Sequence, residues 1–272
     1  AIQLYSVLDK MMIGAFSSSA AENGYYEQTE KVVRVALMVV TSLGTVVAPR
    51  IAQLYHQKDD VAIKGYLKKS FQFVWLLGIP IMCGLIGFVH LFVPVFYGPG
   101  YDKIEVLMPI YSCVVVAVSI SNVIGVQYLI PTKQQNVYTV AVVTSAVVNV
   151  VMNALLIPKF LSVGAVAASV AAEAVGAGML LWHLRQKKLV DLWELLKLSA
   201  KNWIGGLLML FAVRAYCART SQTIMSLCIA VAAGAAIYFG ALLLLRDAFL
   251  LDNIKKIFSR LKGRGKKPQS GD

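Results

Sequence analysis

The chain has 272 residues, 58% of them hydrophobic and 15% charged, with a mean hydropathy of +0.69. A soluble globular chain carries about 45–50% apolar and about 25% charged residues, so this composition argues against a disordered chain, a disulfide-stapled secreted scaffold and an ordinary soluble enzyme. The 26 Lys and Arg against 14 Asp and Glu, a formal charge of +12, read first as the loop charge of a membrane protein and only then as a nucleic-acid surface.

Hydropathy predicts an all-α polytopic membrane protein of about eight transmembrane helices, each crossing a hydrocarbon core of ~30 Å. The apolar stretches lie near 1–19, 32–54, 71–96, 104–130, 137–157, 164–184, 202–217 and 224–245. The first is already apolar at Ala1, so an N-terminal truncation is expected. The seventh is interrupted by Gly205-Gly206 and followed closely by Arg214.

Charge inside a membrane is costly, which makes each instance a functional candidate. In span one, Asp9 and Lys10 are adjacent and point about 100° apart on a helix. They face one wet cavity, or each takes its own partner on another helix. At the start of span two, Glu27–Lys31 and Glu30–Arg34 are i,i+4 pairs with the acid first, the favourable order. Arg34 lies too deep in the apolar run for a simple surface pair. Meeting a substrate and serving only Glu30 are both open roles for it. Met38, Thr41 and Thr45 continue a mildly polar stripe near its face.

Pro80 and Pro109 in spans three and four remove helix hydrogen bonds and favour kinks. Along span five, Ser145, Asn149 and Asn153 form an i, i+4, i+8 stripe suited to joining helices, or less readily to lining a sugar path. In span six, Gly164, Ala168, Ala172 and Gly176 recur every four residues, a strip that lets another helix approach closely. Glu173 is the single acid of that span. It is read either as a coupling carboxylate or as an interhelical hydrogen-bond partner. Between spans six and seven, Leu189, Trp193 and Leu196 share one helical face of Gln186–Lys201, which predicts a helix lying in the interface.

Segments 50–70, 131–136, 183–201 and 246–272 hold 19 Lys and Arg, whereas the alternate connections hold 5. The positive-inside rule puts the richer set, and with it both ends of the chain, in the cytoplasm. Gln134 and Gln269 then face inward, and Ser18 and Ser162 outward. No aromatic interleaving accompanies the basic residues, so nucleic acid is not expected as a partner. Cys83, Cys113, Cys217 and Cys228 stand singly, and His56, His90 and His183 are scattered at span ends. No nucleophile motif, phosphate loop or metal-ligand spacing is present, so neither an enzyme, a metal site nor a cofactor is expected.

The stretch Gln3 to Gly14 containing Asp9-Lys10, then Gly24-Tyr-Tyr-Glu-Gln28, Lys31-Val-Val-Arg34, Thr41 to Thr45 and Ala48-Pro-Arg-Ile-Ala52, resembles the polysaccharide transporter family. These are lipid-linked oligosaccharide flippases of the multidrug/oligosaccharidyl-lipid/polysaccharide exporter superfamily. Beyond residue 70 the likeness is mainly in hydropathy and span order. The resemblance implies that residues 1–184 form the second of two six-helix lobes. It also implies a cytoplasmic interfacial linker over 185–201, an extra helix pair over 202–246 and a basic cytoplasmic tail over 247–272. The first lobe would lie on the missing part of a parent chain.

The implied activity is movement of an undecaprenyl-pyrophosphate-linked oligosaccharide across a bacterial cell membrane by alternating access, with membrane lipids and polysaccharide assembly proteins as partners. Lys10, Lys31 and Arg34 are then candidate cavity cations for the pyrophosphate. Asp9, Glu30 and Glu173 are coupling or charge-pair candidates, with Asp9 expected to hold the Lys10 site ready until the anionic headgroup arrives. A multidrug exporter or peptidoglycan-precursor flippase of the same superfamily, and a non-transporting membrane fragment, are the alternatives.

Overall fold

The computed structural model describes residues 2–17 and 19–264, all in helices and short connections. Ser18 and Gln269, two of the positions used above for sidedness, lie outside the described residues. Seven helical runs among them are long and apolar enough to cross a membrane. The first apolar stretch forms α1 (Ile2–Phe16), 15 residues long, which packs on α2 (Ala21–Thr41), α7 (Gln135–Phe160) and α8 (Ser162–Gln186).

The second stretch begins earlier than hydropathy predicts. Helices α2 (Ala21–Thr41) and α3 (Leu43–His56) make one run broken only at Ser42. Three hydroxyls there bond back to their own backbone, Thr41 to Leu37, Ser42 to Val39 and Thr45 to Ser42, each at 2.8 Å. Such back-bonding competes with the helical ladder and bends it. Helix α4 (Asp60–Phe96) has 37 residues, about 55 Å at 1.5 Å per residue. Its first turns, capped by Asp59, therefore extend beyond the bilayer core.

The fourth span is segmented. Pro109 ends the regular ladder between α5 (Ile104–Ser112) and α6 (Val114–Ser121), and a π-helical segment (Asn122–Leu129) follows. Ile130 N–H reaches Gly125 O, five residues back, at 3.0 Å. The notch this opens at Gly125 is filled by the Tyr138 ring, which would lie 2.2 Å from a β-carbon there.

Helices α7 (Gln135–Phe160) and α8 (Ser162–Gln186) are joined by the single residue Leu161 at φ 51°. The small-residue strip of α8 faces α7. A β-carbon on Gly164 would meet the Leu156 backbone at 2.6 Å, and one on Gly176 would meet Ser145 Oγ at 2.3 Å. Gln186–Lys201 is not a separate interfacial helix. After a short turn with Lys188 at φ 53°, Asp191 caps Trp193 N–H at 2.9 Å, and α9 runs unbroken from Leu192 to Cys217. The amphipathic face belongs to the first turns of a spanning helix that extend past the bilayer core.

Helix α10 (Ile224–Leu244) and α9 pack on α4. The Tyr238 hydroxyl, with one proton to give, has two acceptors in reach, Asn202 Oδ1 at 2.8 Å and Leu76 O at 3.0 Å, and so links all three helices. Gly205-Gly206, which shortens the hydropathy signal, lets α9 nest there. A β-carbon on Gly206 would stand 2.8 Å from Ile79. The basic tail also contains a helix, α11 (Ala248–Arg264).

The α7–α8 seam yields a stability prediction. Gly164→Ala forces two backbones apart, and overpacking of this kind costs about 1–3 kcal/mol. Gly178→Ala on the same helix meets nothing within 4 Å and gains helix propensity of ~1 kcal/mol. Thermal unfolding of the detergent-solubilised chain should show a lowered midpoint for the first and an unchanged or raised one for the second.

Candidate functional site

Helix α2 places Glu27, Glu30, Lys31 and Arg34 within two turns, and α1 crosses beside them. Glu30, 4% exposed, is the centre of the group. Its carboxylate contacts the Arg34 guanidinium, accepts from Ser6 Oγ at 2.9 Å and lies 3.7 Å from Lys10 Nζ. Glu27 lies 3.7 Å from the same Lys10 and pairs with Lys31 at 2.9 Å. Three cations thus share two carboxylates, leaving one positive charge in excess. Both predicted i,i+4 pairs form.

A cavity of about 380 Å³ opens between α2, the segmented fourth span, α7 and α8. Arg34, Glu30 and Thr41 supply one wall, Tyr111 and Asn122 a second, and Tyr138, Ser145 and Glu173 the third. Arg34 therefore meets both the cavity and Glu30. Lys10 stands behind Glu30 and does not line the cavity. Lys31 does not reach it either, because its register on α2 turns it outward to Glu27, more than half exposed. Glu173, 9% exposed, faces the cavity, and its carboxylate makes no hydrogen bond to a described residue.

Asp9 is fully buried and belongs to a different cluster. It accepts from Tyr26 and Asn153, each at 2.5 Å, and from Ser169 at 2.8 Å. Asn153 also donates to Asn149 at 3.1 Å, and Asn149 to Ser169 at 3.4 Å. One carboxylate thereby joins α1, α2, α7 and α8. The Ser145–Asn149–Asn153 stripe divides between the two places, Ser145 at the cavity and the two amides on Asp9. In this structure Asp9 and Lys10 each take their own partners on other helices, one of the two arrangements open to neighbours 100° apart on a helix.

Sequence reasoning passed over Tyr26, Tyr111, Asn122, Tyr138 and Ser169. Tyr26 stood inside a motif already singled out, and its spacing of four from Glu30 placed it on the buried face of α2. The others carry no local signal. They become neighbours only through the π-helical segment and the α7–α8 seam.

The family model described as lipid II flippase MurJ matches residues 4–234. The chain is 25% identical over 171 residues to the "Probable low-salt glycan biosynthesis flippase Agl15" of Haloferax volcanii, covering 63% of this chain and 36% of that protein. It is 23% identical over 192 residues to the "Putative O-antigen transporter" of Escherichia coli K12, covering 70% and 45% respectively. A solved lipid II flippase MurJ in an inward closed conformation matches 90% of this chain and 51% of that one, with a TM-score of 0.74 and 18% identity, a likeness of fold. The chain therefore spans about half or less of the length of these relatives. It belongs to the MurJ lipid II flippase family, a family of transporters rather than enzymes.

The Asp9 cluster predicts a structural phenotype. Hydrogen bonds to a charged group contribute about 1.5–3 kcal/mol each. Asp9→Asn places an amide where three donors converge, so the unfolding midpoint should fall by several degrees. A midpoint for Asp9→Asn equal to wild type is the contrary result.

Proposed function

We propose that this chain is the second lobe of a transporter that carries a lipid-pyrophosphate-linked oligosaccharide, of the undecaprenyl type, from the inner to the outer leaflet by alternating access. Arg34 carries the reading. A guanidinium at the wall of an intramembrane cavity that mixes apolar side chains with charged and hydroxyl ones, held by a carboxylate rather than neutralised inside a core, is suited to phosphate oxygens. Its planar fork grips two of them at once. Glu30 occupies that fork in this structure, and an arriving pyrophosphate competes for it. Glu30 keeps Lys10 and Ser6 as partners when Arg34 turns away, so release of Arg34 leaves no bare buried carboxylate.

In this reading Lys10 tunes the site through Glu30 and Lys31 acts only as outer-end charge. Glu173 and Asp9 are the coupling candidates, the first at the cavity and the second at the junction of four helices. The parent's first lobe supplies the opposite wall, and the assembly works in a bacterial plasma membrane with both ends of this chain in the cytoplasm. The MurJ family match supports a second reading of the cargo, the peptidoglycan precursor. It shares the lipid pyrophosphate and differs in the sugar.

Two outcomes test the proposal. In the whole transporter, Arg34→Ala should lower surface glycan about tenfold or more at equal membrane abundance, as expected for loss of a charged contact of about 1.5–3 kcal/mol. Arg34→Lys should restore only part of it. Recovery of output in a Glu30→Gln/Arg34→Gln double variant would show that Arg34 serves only its pair. For sidedness, Ser162 is buried against Glu22 at 2.6 Å and is unsuited to labelling. The exposed Gln57 and Ser221 replace it. In intact cells an impermeant thiol reagent should label Ser221→Cys and spare Gln57→Cys, and the reverse pattern overturns the orientation.

A further inference from the structure

Helix α11 is not used by the transport reading, yet its start is fixed with care. Helix α10 ends in a Schellman turn: Arg246 N–H bonds Leu243 O at 3.1 Å, and Asp247 N–H reaches Leu242 O at 3.0 Å. Arg246 takes the left-handed conformation, φ 49°, although it is not glycine. Lys201 Nζ donates to Arg246 O at 3.0 Å, holding that turn to α9. The buried Asp247 then caps α11 by accepting from Leu250 N–H at 2.9 Å. A spanning helix thus stops and a second helix starts within three residues, so the point at which the tail's direction can change is set.

The register of α11 sorts its residues sharply. Leu250, Ile254, Ile257 and Leu261 recur at i, i+4, i+7 and i+11, an apolar stripe that the positions of Leu251 and Phe258 widen on one side. At 100° per residue, Lys255 and Lys262 fall on one flank of that stripe, and Lys256, Arg260 and Arg264 on the other. Asp252 and Ser259 occupy the opposite, solvent side, and both are exposed. Leu250 is buried and Ile254 packs on the core, so the first two turns rest on the end of the bundle. Lys255 and Lys256 are exposed. This is the end at which the basic connections gather, where Lys68 pairs with Glu194 at 2.5 Å.

From these observations we propose that α11 is an in-plane helix that docks on the anionic phospholipid headgroups of the leaflet at the basic end of the bundle. Two cationic rows bordering one apolar stripe are the arrangement by which a helix sinks its apolar face to the level of the acyl chains while its lysines and arginines reach sideways to the phosphates. The helix then fixes the depth of α10 through the capped turn. An anionic surface favours each nearby Lys or Arg roughly fivefold, so the docking depends on lipid charge and on salt.

The test uses the full chain in lipid nanodiscs, where both faces are accessible and the direction of insertion has no effect on the outcome. Nitroxide labels are placed at Ile257→Cys and at Ser259→Cys in a chain with the four native cysteines replaced. In discs that contain anionic phosphatidylglycerol, the label at 257 should collide with oxygen and be shielded from a soluble nickel chelate. The label at 259 should show the reverse. The contrast should shrink severalfold in purely zwitterionic discs, and likewise in a Lys255→Gln/Lys256→Gln/Arg260→Gln/Lys262→Gln variant.

Equal exposure of both labels to the nickel chelate, shielding of 257 from both reagents by protein, or a contrast indifferent to lipid charge would each overturn the proposal. The unaltered chain gives a second readout that needs no substitution. Trypsin cleavage after Lys255, Lys256 and Arg260 should be slowed severalfold by anionic discs relative to zwitterionic ones, and high salt should remove that protection. Cleavage at equal rates in both lipids counts against docking.

Discussion

Inside a hydrocarbon slab a buried carboxylate must find its own donors, because water is not there to supply them. The chain meets this demand in two ways within one helix turn of each other. Glu30 is answered by cations from its own helix and from α1. Asp9 is answered by neutral hydroxyl and amide donors from three other helices. The first arrangement leaves movable charges at a cavity, while the second pins four helices at a point. Much of the geometry of the site follows from that division of labour.

The positions of the spans and the acid–base pairs of α2 were legible in the sequence because both are local. Hydropathy needs only a window, and an i,i+4 pair needs only one helix. The seam between α7 and α8 was legible for the same reason, since small residues every four positions leave a groove whatever the partner. Asp9 shows where local reading stops. Its neighbour Lys10 is nearest in sequence, whereas its true partners lie on α2, α7 and α8, the farthest 160 residues away. Lys31 shares a basic cluster with Arg34 but not its register, and it turns to Glu27 instead of lining the cavity of this lobe.

Two differences arose from length rather than chemistry. The amphipathic stretch after residue 186 reads as an interfacial helix because its apolar face is narrow, yet Asp191 caps it and the helix continues through Gly205-Gly206 into the bilayer. Likewise the first turns of α4 are polar enough to pass for a loop. In both cases a helix crosses the boundary between two solvents, and a scale tuned to one of them reports only the portion that lies there.

The one-residue junction at Leu161 bears on how the two helices it joins act together. Helices of 26 and 25 residues with no connecting loop have no slack at that end, so a change in one is felt by the other. Asn149, Asn153 and Ser169 face each other across the seam. The folded hairpin by itself therefore supplies these polar residues with partners other than acyl chains, and Asp9 joins a cluster that is already hydrogen-bonded.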